Sequence, residues 1–155
     1  MKKGLLILAL IWGVSTHAQT IINLQDNPSL ELIDSLDNAY HPALGPDSIS
    51  PVMSDRQAEF QAEWIDWLTD FAGYLNERDY RWGTPTRAFV RLYCDPEGKV
   101  EYMLYKFKPG SMDESNYYRF PELLQGYIKE QPLPLGEPGM LPFSQCGPLT
   151  FVDAN

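Results

Sequence analysis

Histidine is scarce in this chain, with two among 155 residues, and one of them, His17, falls in a segment that reads as a removable leader. His41 alone remains for acid–base work, beside Pro42 in a loop-like stretch. A Ser-His-Asp or Cys-His arrangement would have to recruit it from outside a folded core, so it reads as a surface histidine. Two cysteines, no Cys-x-x-Cys and no histidine cluster leave zinc without a recognisable ligand set. A glycine-rich phosphate loop is missing too, since Gly136 and Gly139 lie among prolines. Basic residues number 12 against 21 acids, a net charge of −9. So acidic a chain is repelled by nucleic acid and by anionic membrane surfaces. The acids form no block of like charge that would read as an acidic tail. The chain also lacks internal repeats and low-complexity tracts. No metal and no cofactor is expected from these residues.

The longest apolar run, Leu5 to Val14, is about half the length that crosses a bilayer, which needs about 20 residues. Lys2 and Lys3 precede it, and Thr16-His17-Ala18 offers a small-residue cleavage site before Gln19. Residues 1–18 therefore read as a signal peptide, and the protein is expected to be exported, periplasmic or secreted, with no stable membrane span after cleavage. No cysteine follows the junction, so a lipoprotein anchor there is not expected. Removing the leader takes two lysines and no acid, leaving ten bases against 21 acids, a charge of −11. At 44% hydrophobic and 13% aromatic residues over its whole length, the chain has enough apolar surface to fold as one domain.

Residues 19–53 are the least regular. Asn27-Pro28 can start a short helix through Ala39 with Leu30, Ile33 and Leu36 on one side. Pro42, Gly45, Pro46 and Pro51 then read as a linker. The folded domain is expected over 54–155. Ser54-Asp55-Arg56-Gln57 has the form of a capping box. Phe60, Trp64, Trp67, Leu68, Phe71 and Leu75 follow at helical spacing, predicting an amphipathic helix over 54–77. Its other face carries Glu59, Glu63, Asp66 and Asp70, which read as a solvated face and not as a calcium site.

Residues 84–152 predict a strand, a turn, a strand, a helix and a strand. Asp95-Pro96-Glu97-Gly98 fits a type I turn closed by a glycine bulge. Such a loop pairs Cys94 with Val100, Leu92 with Tyr102 and Val90 with Leu104, all apolar on one face. The other face pairs Tyr93 with Glu101, Arg91 with Met103 and Phe89 with Tyr105. It is only half polar, so something is expected to cover part of it. Asp113 and Glu114 suit a helix start, and Tyr117, Phe120, Leu123, Leu124, Tyr127 and Ile128 continue at helical spacing. Pro121 either kinks that helix or restarts it, and Pro132 and Pro134 end it. The last strand runs from Phe143 to Val152. Its Pro148 marks an edge strand or a bulge. The fold class is α+β, a small antiparallel sheet of about three strands (ββαβ) with one packed helix and a further N-terminal amphipathic helix.

An even cysteine count in an exported chain permits a Cys94–Cys146 disulfide. Cys146, however, has the opposite strand parity from Phe143, Leu149 and Phe151. A bridge would need Gly147-Pro148 to bulge the strand, and two free buried thiols are the alternative. Trp64 and Trp67 read as the stripe that buries the long helix. Tyr80 and Trp82, in the 78–84 loop, are the candidate members of a platform for sugar rings. Paired carboxylates such as Glu97 and Glu101 are what any acidic surface supplies, so a hydrolase is the third reading, after protein binding and carbohydrate binding.

Phe89-Val90-Arg91-Leu92-Tyr93, Asp95-Pro96-Glu97-Gly98-Lys99-Val100, Leu123-Leu124 and Pro142-Phe143, in that order, resemble the TonB/TolA C-terminal domain. The form is the divergent one of exported Bacteroidetes-type proteins, and the likeness covers about residues 84–151. It implies a non-enzymatic envelope protein whose exposed strand pairs with a segment of an envelope protein or peptide. The strand implied is Phe143–Phe151, with Phe143, Ser144, Gln145, Leu149 and Phe151 as the edge. The apolar N-terminal run and the segment after it are too short for that family's membrane anchor and periplasm-crossing linker.

Overall fold

Alternating apolar residues on either side of the Asp95–Gly98 turn make the centre of the molecule, an antiparallel pair of β3 (Thr86–Cys94) and β4 (Val100–Phe107). The computed structural model describes residues 19–46 and 50–153. The leader expected over residues 1–18 lies outside the described residues. The remaining elements are β1 (Thr20–Asn23), α1 (Leu30–Ala39), β2 (His41–Pro42), α2 (Gln57–Glu77), α3 (Glu114–Glu130) and β5 (Phe143–Phe151). They form an α+β fold around one five-stranded sheet of order β1-β4-β3-β5-β2.

The expected three-stranded antiparallel sheet is the middle of this sheet, β4-β3-β5. Both outer strands come from residues 19–53, which sequence reading leaves as a linker with one short helix. β1 runs parallel to β4, Thr20 beside Tyr102 through Asn23 beside Tyr105. Gln19 anchors it to α3, its Nε2 donating to the Ile128 carbonyl at 2.8 Å. β2 runs parallel to the start of β5, and the Ala43 N–H donates to the Ser144 carbonyl at 2.8 Å. Ala43 and Met53, at either end of the Pro/Gly-rich stretch, are fully buried and belong to the core.

The turn is as expected at its mouth: Gly98 N–H donates to the Asp95 carbonyl at 3.0 Å and Cys94 pairs with Val100. One residue further the register departs from expectation. Tyr93 lies opposite Tyr102, Leu92 opposite Met103 and Val90 opposite Tyr105, with Glu101 as the extra residue of a second bulge. The shift sends Met103 and Tyr105 to one face and Tyr102 and Leu104 to the other. Both faces then bury apolar residues. α2 and α3 cover the first, where Val90, Leu92, Met103 and Tyr105 meet Phe60, Phe71 and Phe120. α1 covers part of the second, placing Leu36 on Tyr93 and Leu104. That helix is held by Asp37, whose carboxylate accepts from the Tyr93 hydroxyl at 2.8 Å and pairs with Arg91 at 2.7 Å.

The stripe on α2 is buried at Phe60, Trp64, Trp67, Phe71 and Leu75, while Leu68 is half-buried at its margin. Trp67 stands at its centre, stacked on Trp64 and edge-on to Tyr127 of α3. Two hydrogen bonds lock the crossing, Trp67 Nε1 to the Gln131 carbonyl at 3.0 Å and Tyr127 hydroxyl to the Trp67 carbonyl at 2.8 Å. The capping box is not formed. Burial of Met53 draws residues 52–55 into a turn, so α2 starts at Gln57 with Arg56 at its cap and no side-chain cap bond. α3 is capped by Asp113, which accepts from the Asn116 N–H at 2.8 Å, and runs on through Pro121 without a restart.

Candidate functional site

The last strand carries the candidate edge, and its register decides which main-chain groups are free. β5 pairs antiparallel with β3 along its whole length, from Cys94 opposite Phe143 to Thr86 opposite Phe151. On its other side β2 reaches only Phe143 and Ser144. The Ser144 carbonyl points at β2, and main-chain direction alternates along a strand, so Cys146, Pro148 and Thr150 point outward as well. All three are exposed. Pro148 sits in this row because its missing N–H faces away from β3 and no ladder bond is lost. Of the edge or bulge that Pro148 allows, no bulge forms at Gly147-Pro148, the register with Val90 and Phe89 being continuous.

Beside this open row lies an apolar groove of about 490 Å³ between β5 and α2. Its floor on the strand side is Leu149, Thr150 and Phe151, continued by Val152. Its wall is a second stripe of α2, Ile65, Leu68, Thr69, Ala72 and Gly73, flanking the buried stripe at the same helical spacing. Ile65 is 56% and Val152 55% exposed, a costly display for residues of their kind unless something covers them. Small residues at 72 and 73 keep the wall low, and a Cβ on Gly73 would meet no atom within 4 Å. The groove therefore offers outward main-chain donors and acceptors next to apolar side-chain pockets.

Of the five edge residues read from sequence, the structure brings Leu149 and Phe151 to this groove. Phe143 and Ser144 are corrected: both are buried, Phe143 edge-on to Phe60 and Ser144 under β2, so that end of the strand is not an edge. Gln145 is half-buried where β2 stops. The wall residues were missed because Ile65, Ala72 and Gly73 lie off the strongest stripe. The signal available was an apolar Ile65 beside Asp66, off the main stripe.

The sugar platform is corrected too. Tyr80 is 2% and Trp82 5% exposed, and Trp82 stacks on Phe151 with ring centres 4.6 Å apart. Asp153 clamps their loop, accepting from the main-chain N–H groups of Trp82 and Gly83. The disulfide is corrected on the same geometry. Cys94 faces α2 and α3 in the core, whereas Cys146 lies opposite Arg91 on the other face of the sheet and is exposed, and both thiols are free. Burial pushes the Cys94 thiol well up, with Asp95 and Glu101 adding to it, so it is not a poised nucleophile. His41 is exposed on β2. Among the described residues no three His, Cys, Asp or Glu side chains converge as a metal site, and no helix is long and apolar enough to cross a membrane. No family model matches the chain, and neither a curated protein nor a solved structure matches it.

Proposed function

We propose that this is an exported, non-enzymatic binding protein of the cell envelope that takes up an extended peptide segment of a partner protein by strand addition to β5. The observation that carries the reading is the coincidence of the outward row Cys146–Pro148–Thr150 with the apolar groove under α2. An unpaired strand edge supplies main-chain affinity, and pockets at every second residue supply selectivity. The occupant is therefore an extended segment with apolar side chains at alternate positions, those side chains lying on Ile65, Leu68 and Ala72. The resemblance to the TonB/TolA C-terminal domain and the leader-like residues 1–18 support the same reading, including the export.

The test is selection from a library of displayed random peptides, followed by amide hydrogen exchange on the complex. The expected outcome is convergence on an alternating apolar pattern, protection of the Cys146 and Thr150 amides, and loss of binding in Ala72→Arg. Selection of no such pattern, or protection confined to other strands, overturns the proposal.

A further inference from the structure

On the sheet face opposite α2 and α3, beyond the reach of α1, β3 and β4 display an arrangement that a sheet ordinarily avoids. Ala88 pairs with Phe107, so the next pair outward sets Arg87 against Lys108, and the Lys108 N–H donates to the Arg87 carbonyl at 3.2 Å. Phe89 and Lys106 form the neighbouring pair on the same face. Like charges directly opposite each other on adjacent strands destabilise a sheet. Nothing in the described residues relieves them: Arg87, Lys106 and Lys108 form no ion pair, although the chain holds 21 acids.

The pair borders a polar pocket of about 330 Å³ between the 84–87 and 108–111 segments, with no acidic residue in its lining. Its walls are braced. The buried Thr86 hydroxyl donates to the Ser111 carbonyl at 3.1 Å, and the Ser111 N–H donates to the Lys108 carbonyl at 3.1 Å across a turn with Gly110 at φ +71°. Ser111 also carries a buried Oγ with no hydrogen-bond partner among the described residues. A second depression shares Arg87 and Lys108 and exposes Phe89, which is 40% accessible.

We infer that this pocket binds a compact oxyanion of the phosphate class, held between Arg87 and Lys108. Two cations brought together on a braced frame suit a small multivalent oxyanion, to which charge-assisted hydrogen bonds are strongest. The negative field of the whole chain disfavours extended polyanions and leaves a compact one as the fitting ligand. The site lies on the other face of the sheet from the peptide groove and stands independently of it.

The probe is inorganic phosphate, titrated into the protein at constant ionic strength and followed by amide chemical shifts, with chloride as the comparison. Saturable shifts at Thr84, Gly110 and Ser111 are expected. Arg87→Gln and Lys108→Gln should each weaken binding about fivefold or more, while Lys129→Gln on α3 leaves it unchanged. Either glutamine variant should also melt at a higher temperature than the parent in phosphate-free buffer, because the like-charge pair is gone. A parallel arm uses phosphatidylcholine vesicles with and without phosphatidic acid. Binding to the acid-containing vesicles, lost in the two variants, assigns the oxyanion to a lipid headgroup, and binding of soluble phosphate alone assigns it to a soluble ligand. Shifts that do not saturate, that chloride reproduces or that survive both substitutions overturn the inference.

Discussion

Gly98 and Gly136 meet where the β3–β4 turn rests on the loop after α3. Gly98 has φ +83°, and a Cβ there would run into the Leu133 carbonyl oxygen. On Gly136 it would run into the main chain of Glu97 and Gly98. The obstacle is backbone on both sides, which cannot step aside as a side chain can. Gly136→Ala should therefore cost about 2–3 kcal/mol of stability, seen as a lower urea midpoint. Gly73→Ala is the contrast, since that glycine is inside α2 with open space beside it. It should gain about 0.5–1 kcal/mol from the smaller entropy of the unfolded chain. It should also weaken peptide binding, because the methyl group narrows the groove. A Gly73→Ala protein that is both more stable and unimpaired in binding would count against the groove as the peptide site.

At the level of elements, β5 has two unequal sides, and proline distinguishes them. Thr150 directs its N–H outward and Leu149 directs its own to β3. Thr150→Pro should leave the sheet intact, at a cost of about 1 kcal/mol for adjusting φ, while abolishing strand addition at that position. Leu149→Pro removes a ladder bond and should lower stability by about 3 kcal/mol or more. Thermal melts compared with peptide titrations of the two variants check this. Equal effects of the two prolines on stability would show that the outward row is already engaged. Pro148 has a further consequence for the free protein. It interrupts the outward row after one residue, which limits pairing between copies of the edge.

Across the whole molecule, the interior is built from aromatic rings on both faces of the sheet, and several of them are tyrosines. Burial is the first cause raising the hydroxyls of Tyr80, Tyr93, Tyr105 and Tyr127, that of Tyr105 to about 12. At Tyr93 the hydrogen bond to Asp37 adds to the effect. A group whose folded pKa is raised holds its stabilising contribution below its unfolded value, here 10.0, and loses it as the pH climbs through the folded value. Stability should thus be undiminished by these groups up to about pH 10 and should fall steeply toward about pH 12. Tyrosinate absorbance and far-ultraviolet circular dichroism, followed together, should change in one step. Ionisation of the buried tyrosines with the dichroism intact would place them nearer solvent than the packing has them.

Local pattern by itself determined a good deal. Helical spacing of Phe60 to Leu75 and of Phe120 to Ile128 specifies two helices and the stripes they bury. Asp95-Pro96-Glu97-Gly98 specifies the turn, and Pro148 narrows its strand to an edge or a bulge. These signals are legible because each depends on neighbours in the chain. The tertiary structure alone decided what covers each face and which edges stay open. His41-Pro42 is too short for any periodicity, and Thr20–Asn23 becomes a strand only beside Tyr102–Tyr105, some eighty residues away. The Glu101 bulge accompanies the apolar partners that α1 meets on the second face; the hairpin alone shows that this face needs a cover but not which element supplies it. Tyr80 and Trp82 look uncommitted in a loop until Phe151 and Asp153 close over them. The groove is legible in neither α2 nor β5, because it is the gap left where two well-specified elements do not quite meet.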